Sequence, residues 1–171
     1  DTDDEFEKEV SILYSLRHQN ILKFFGIALT EDSKYMITEY LENGSLERMI
    51  YKLRIGKASL TLKQKLIILQ DICSGLEYLH SLEPPIVHRD LKPGNVLFDS
   101  DYRCKICDFG LSRAVGNLNT NNSMTRGIGT LLYSSPESWT SSTSDIGNSQ
   151  DKILKATKGD VYSFGIMMHE L

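Results

Sequence analysis

The sequence predicts an α+β fold, and three observations carry that prediction. Residues 4–17 and 61–80 bear apolar stripes at helical spacing. Residues 21–29 and 34–40 are two apolar runs separated by a short polar turn. Further apolar runs at 86–87, 96–98 and 104–107 are too short to be helices.

The first helix is expected over 4–17. Phe6, Val10, Leu13 and Leu16 recur at steps of four, three and three, so they share one face. Acids in the first turn suit the positive end of the helix dipole. Glu9 lies at the margin of this stripe, where a carboxylate is either exposed or in need of a cation or water. Two strands follow, ILKFFGIAL at 21–29 and KYMITEY at 34–40, around the turn Glu31-Asp32-Ser33. Asn43-Gly44-Ser45 breaks the chain, and Ser45 is placed to cap a short helix from Leu46.

A long helix is expected from about Thr61 to His80, with Leu62, Leu66, Leu69, Cys73, Leu76 and Leu79 as its buried stripe. Pro84-Pro85 ends that region. Asp99-Ser100-Asp101 is a hairpin turn between the last two short strands. Residues 115–130 read as a polar loop, and the Ser/Thr-rich stretch 138–152 as a surface insertion. A final helix begins near Asp160 and runs to Leu171. Val161, Phe164, Ile166, Met167 and Met168 make it apolar on most sides, which predicts deep burial.

Composition narrows the class. With 40% apolar and 25% charged residues over 171 positions, the chain is globular and of one-domain size. No apolar run is long enough to span a membrane, and no signal peptide opens the sequence. A net charge of −4 argues against a general nucleic-acid binder. The first nine residues hold six acids and one base, so the rest of the chain is nearly neutral. Three cysteines do not make a disulfide scaffold, and the expected setting is a reducing cytoplasm. Cys104-Lys105-Ile106-Cys107 has the C-x-x-C form but no second pair follows, so it reads as strand rather than as a redox or zinc site.

The chemistry concentrates in His88-Arg89-Asp90-Leu91-Lys92-Pro93-Gly94-Asn95 and Asp108-Phe109-Gly110. Asp90 and Asn95 stand five apart in a polar loop, and Asp108 ends the next apolar run. A hairpin would bring Asn95 and Asp108 to one edge. Carboxylate and amide oxygens converging there suit a hard cation such as Mg²⁺. Lys92 adds a point charge for an anionic group. A carboxylate, a lysine and metal ligands around one point are what phosphoryl transfer requires.

These residues closely resemble the protein kinase pattern of H-R-D-L-x-x-x-N, then D-F-G, then a P-E, here Ser135-Pro136-Glu137. The resemblance covers nearly the whole chain. Arg17-His18-Gln19-Asn20-Ile21 is similar to the turn after the family's regulatory helix. Ile37 to Leu41 with Asn43-Gly44-Ser45-Leu46 resembles the hinge, and Asp160-Val161-Tyr162-Ser163-Phe164-Gly165 the central helix of the large lobe. The hinge and DVYSFG wording is similar to the tyrosine-kinase-like group, and Lys92 is the serine/threonine form of the loop. The implied fold is a partial two-lobe kinase domain. It has a small-lobe portion at 1–38, a hinge at 39–44 and a large-lobe portion at 45–171, with the activation segment at 108–137.

The resemblance implies roles. Asp90 orients the substrate hydroxyl and accepts its proton, Lys92 stabilises the transferred phosphoryl group, and Asn95 and Asp108 hold Mg²⁺. The backbone of Glu39 and Leu41 binds the adenine of ATP, with Leu97 beneath the ring and Thr38 gating the pocket behind it. Glu9 is the regulatory-helix glutamate that pairs with an ATP-orienting lysine. Leu13, Phe24, His88 and Phe109 form an apolar column between the lobes, and Asp160 anchors the catalytic loop. Arg89 gathers a phosphate placed by an activating kinase on Ser123 or Thr125, and Thr130 faces the substrate. Cys107, beside Asp108, reads as inert packing rather than a reactive thiol.

The implied activity is ATP-dependent phosphorylation of protein Ser/Thr hydroxyls. The alternatives are a pseudokinase scaffold, a small-molecule phosphotransferase and a tyrosine-specific kinase. No glycine-rich strand pair or V-A-I-K lysine precedes Glu9, and Gly94 replaces a glutamate common in kinases that select basic substrates. The expectation is a kinase domain cut at both ends, poorly stable and nearly inactive alone, with apolar surface exposed on its last helix.

Overall fold

In the computed structural model the protein is described over residues 10–31, 33–108, 113–114, 131–136 and 149–171. Residues 10–15 are helical (α1). Leu13 is buried there, with Leu16 just beyond. Strands β1 (Phe24–Leu29) and β2 (Lys34–Thr38) pair antiparallel, with an irregularity between Phe24 and Gly26. Ser45 caps α2 (Leu46–Arg54), its side chain accepting from Arg48 N–H. Thr61 and Gln64 form a reciprocal capping box at the start of α3 (Leu62–Ser81). The short strand β3 (Ile86–Val87) pairs with β6 (Arg113–Ala114). Strands β4 (Val96–Phe98) and β5 (Cys104–Ile106) form the expected hairpin. Helix α4 (Ser149–Glu170) closes the chain.

The buried face of α3 differs from the one the leucine spacing predicts. Leu62 and Leu66 are 73% and 56% exposed, and Cys73 is exposed. The face turned inward is Ile68, Asp71, Ile72, Gly75, Leu76 and Leu79. Close approach to β5 decides this. A Cβ on Gly75 would lie 2.9 Å from Ile106 Cδ1 and 3.0 Å from the Asn20 carbonyl oxygen, so only glycine lets helix and strand meet here.

Asp71 is the other determinant. Its carboxylate is buried and accepts from Arg103 Nε at 2.8 Å and from Cys104 N–H at 2.9 Å. Burial works against ionisation of Asp71, and the hydrogen bonds from Arg103 and Cys104 outweigh it, so its pKa falls below the ordinary carboxylate value. The same hairpin is pinned at its turn by Asp99, whose side chain accepts from the N–H groups of Asp101 and Arg103. Its far side is stitched to residues 20–22, since Ile106 N–H donates to Asn20 O and Leu22 N–H to Ile106 O, both at 2.9 Å.

Helix α4 begins eleven residues before the expected Asp160, so 149–152 are helical rather than part of a loop. It is not deeply buried. Met167, Asp160 and Ser163 face inward, whereas Val161 and Met168 are 57% and 52% exposed. One stripe packs against α3 and β3, and the apolar surface expected on this helix lies open among the described residues. The helix is held by Ser163 Oγ, which donates to Tyr133 O at 2.6 Å, and by Glu170. The Glu170 carboxylate accepts from Tyr133 Oη at 2.6 Å and Arg54 Nη2 at 2.8 Å. Burial first, then the bond to Glu170, raises the Tyr133 pKa. No helix among the described residues is long and apolar enough to cross a membrane.

Candidate active site

The polar loop between β3 and β4 is held from α4. Asp160, 1% exposed, accepts from His88 N–H through Oδ2 and from Arg89 N–H through Oδ1, each at 2.9 Å. His80 Nε2 lies 2.8 Å from Asp160 Oδ2. Arg89 adopts φ of 69°, a left-handed conformation that costs a non-glycine residue about 1–2 kcal/mol. Two hydrogen bonds to one buried carboxylate offset that strain and fix where Asp90 emerges.

His88 is wholly buried. Its Nδ1 accepts from Asp90 N–H at 3.3 Å, which assigns the ring proton to Nε2, 2.9 Å from Cys107 O. The imidazole thus joins the loop to the end of β5.

Asp90 is 9% exposed. Its Oδ2 accepts from Lys92 Nζ at 2.6 Å and from Asn95 Nδ2 at 3.3 Å. Asn95 Nδ2 also donates to Asp90 O at 2.8 Å, locking the loop onto the 3₁₀ turn Pro93–Asn95. The other carboxylate oxygen, Oδ1, is buried with no hydrogen-bond partner among the described residues. Loss of such a bond usually costs about 1–3 kcal/mol, so this acceptor is held ready rather than satisfied.

Asn95 and Asp108 are brought together by the hairpin. Val96 pairs with Ile106, and Cys107 N–H donates to Asn95 O at 2.9 Å. Asp108 is the next residue, exposed and at φ of 61°. The Cys107 thiol before it is pushed up to about 12, first by burial and then by the Asp108 carboxylate, so it stays protonated at neutral pH. Burial likewise raises the Cys104 thiol, with the Asp71 carboxylate adding to it. All three cysteines are free thiols.

The segment the resemblance assigns to the hinge lies against the same hairpin. Asn43 N–H donates to Phe98 O at 3.4 Å and Phe98 N–H to Gly44 O at 2.9 Å, and Ser45 bridges to Leu97. Glu39 N–H donates to Lys23 O at 2.9 Å. Thr38 ends β2, its hydroxyl 3.2 Å from Glu39 O. Leu41 is half-buried, as is Leu97 in β4. Leu13, Phe24 and His88 are buried. Glu9, Phe109, Ser123, Thr125, Thr130 and Glu137 lie outside the described residues.

Two features escaped sequence reading. The Glu39 side chain is bound by Lys105, and Asp160 has His80 as a further partner. A lysine between two buried residues in a short strand is the signal for the first.

Comparison with known proteins agrees with this architecture. The sequence model described as protein tyrosine and serine/threonine kinase matches residues 1–171. A serine/threonine-protein kinase of Dictyostelium discoideum is 41% identical over 171 residues, covering 100% of this chain and 15% of that protein. Serine/threonine-protein kinase CTR1 of Arabidopsis thaliana is 39% identical over 167 residues, covering 98% of this chain and 19% of that protein. Serine/threonine-protein kinase TNNI3K of Mus musculus is 37% identical over 169 residues, with coverage of 98% and 19%. The chain therefore spans less than a fifth of the length of these relatives. With motifs, fold and relatives in agreement, the chain belongs to the protein tyrosine and serine/threonine kinase family, on its serine/threonine, tyrosine-kinase-like side.

Proposed function

We propose that the protein containing this chain transfers the γ-phosphoryl group of ATP to serine and threonine hydroxyls of protein substrates. The observation that carries this is the Asp90 carboxylate. One oxygen is held by Lys92 and Asn95, and the other is buried and unpartnered among the described residues. A substrate hydroxyl donating to Oδ1 satisfies that atom and is oriented for in-line attack, and its proton passes to the same oxygen. Lys92, already beside Asp90, is within reach of charge on the transferred group.

The donor set fits Mg²⁺. Asn95 supplies an amide oxygen and Asp108 an exposed carboxylate, both hard ligands, one residue apart across the Cys107–Asn95 hydrogen bond. These two residues would hold the ion, which when bound neutralises phosphate charge. The backbone of Glu39 and Leu41 would take the adenine, with Leu97 beneath and Thr38 behind. In this reading residues 1–38 belong to the small lobe, 39–44 are the hinge and 45–171 belong to the large lobe. Glu9 pairs with a lysine supplied from the small lobe, and Arg89 receives a phosphate on Ser123 or Thr125 from an activating kinase. Thr130 faces the substrate, and the domain works in the cytoplasm, where ATP is.

The test is phosphorylation of a mixed protein substrate by the full-length protein with ATP and Mg²⁺, followed by phosphoamino-acid analysis. Phosphoserine and phosphothreonine are expected, with a loss of roughly thousandfold on Asp90→Asn. Nucleotide binding without transfer would make the protein a pseudokinase, and phosphotyrosine alone would overturn the serine/threonine assignment.

A further inference from the structure

We infer that Lys105 is a positioning residue for nucleotide binding, acting through the carboxylate of Glu39. This rests on the reading of the site as an ATP site, which assigns only the backbone of Glu39 a role.

The side chains meet closely. Lys105 Nζ lies 2.8 Å from Glu39 Oε1 and 2.9 Å from Oε2, and Oε1 also accepts from Lys23 N–H at 2.7 Å. The two side chains are only 16% and 21% exposed. An exposed ion pair contributes little, but one largely withdrawn from water leaves an uncompensated charge when either partner is removed.

Placement gives the pair its consequence. Lys105 stands opposite Leu97 in the β4–β5 register, and Leu97 is the proposed floor of the adenine slot. Glu39 opens the proposed hinge. The ion pair therefore ties the floor of the slot to its wall. At the other end, Asn43 and Gly44 are tied to Phe98 by backbone hydrogen bonds. Residues 40–42 span the gap between two anchors, and Tyr40 among them is 88% exposed. With the Lys105 tie lost, Glu39 keeps only its hydrogen bonds to the Lys23 backbone, and the Leu41 backbone is held less firmly on that side. Its groups must then be ordered by the nucleotide itself, which weakens binding.

The test measures Mg²⁺·ADP binding by calorimetry, alongside steady-state kinetics, in the full-length protein carrying Lys105→Met, Lys105→Arg, Glu39→Gln and the Lys105→Met/Glu39→Gln pair. Lys105→Met is expected to raise the ADP Kd and the KM for ATP about tenfold, with kcat within about twofold of wild type. Lys105→Arg, which keeps a donor for the carboxylate, stays near wild type. The double variant binds no more weakly than the weaker single one. Should Lys105→Met fail to fold, Glu39→Gln carries the same expectation for the ADP Kd alone. A Kd unchanged in Lys105→Met or Glu39→Gln overturns the inference. So does a kcat that rises while KM stays constant, since the pair would then restrain the hinge rather than position it. Wild-type protein that binds no ADP defeats the ATP-site reading itself.

Discussion

Lys92 Nζ sits 2.6 Å from one oxygen of the Asp90 carboxylate, whose other oxygen is buried without a partner among the described residues. The lysine balances the charge of a buried group and leaves one acceptor open. Lys92→Met removes that balance. The rate of phosphoryl transfer by the full-length protein is expected to fall about a hundredfold, with nucleotide affinity nearly unchanged. Steady-state kinetics beside a nucleotide titration separates the two. Equal losses in both would assign Lys92 to ground-state binding.

Asp71 links stability to pH. Its folded-state pKa is lowered, so the stability it contributes is complete above the ordinary value of 3.8 and is lost as pH falls below that through the folded-state value. Asp71→Asn should lower stability at pH 7 by about 2 kcal/mol, a figure kept small because its partner Arg103 is half-exposed. The difference from wild type should shrink as pH falls below 3.8. Denaturant unfolding at neutral and acid pH measures it, and a constant difference would remove Asp71 as the titrating group.

Gly75→Ala sets two effects against each other. Alanine favours a helix interior by up to about 1 kcal/mol. The added Cβ would press on the Asn20 carbonyl at 3.0 Å and on Ile106 Cδ1 at 2.9 Å, and the carbonyl belongs to the backbone. Overpacking of this kind costs about 1–3 kcal/mol, so the variant should melt lower, by about 3 °C. A higher melting temperature would show that α3 and β5 can move apart at no cost.

The thiols should label in a definite order. Cys73 is exposed, whereas Cys107 is buried with its pKa pushed up to about 12. Iodoacetamide at pH 8 should alkylate Cys73 first and leave Cys107 unmodified until the protein unfolds. Peptide mass mapping reads the order. Labelling of Cys107 at the rate of Cys73 would contradict its burial.

The loop at 88–95 was legible because its signal is local. Asp90, Lys92 and Asn95 lie within six positions, and their mutual hydrogen bonds follow from one short turn. The hairpin that brings Asn95 beside Asp108 was legible from its turn residues. The buried face of α3 was not. Leu66-Ile67-Ile68-Leu69 is apolar on every side, so two stripes fit the helical period equally well. The choice between them is made by Gly75 against Ile106 and by Asp71 against Arg103, contacts with a hairpin some thirty residues on. The early start of α4 was hidden by composition. Ser, Asn and Asp before residue 152 favour turns, yet Lys152 to Lys158 holds no proline or glycine and continues a helix that Gly159 does not end. The Glu39 carboxylate was invisible because its partner lies 66 residues away.

The Asp160 carboxylate carries a further consequence, for synthesis. The N–H groups of His88 and Arg89 find their acceptor 72 and 71 residues downstream. A growing chain emerges N-terminus first, so Asp90, Lys92 and Asn95 leave the ribosome well before the carboxylate that holds their loop. Until α4 docks, nothing from Asp160 offsets the left-handed turn at Arg89. A nascent chain can therefore display the side chains proposed for catalysis while their loop waits for a helix not yet made.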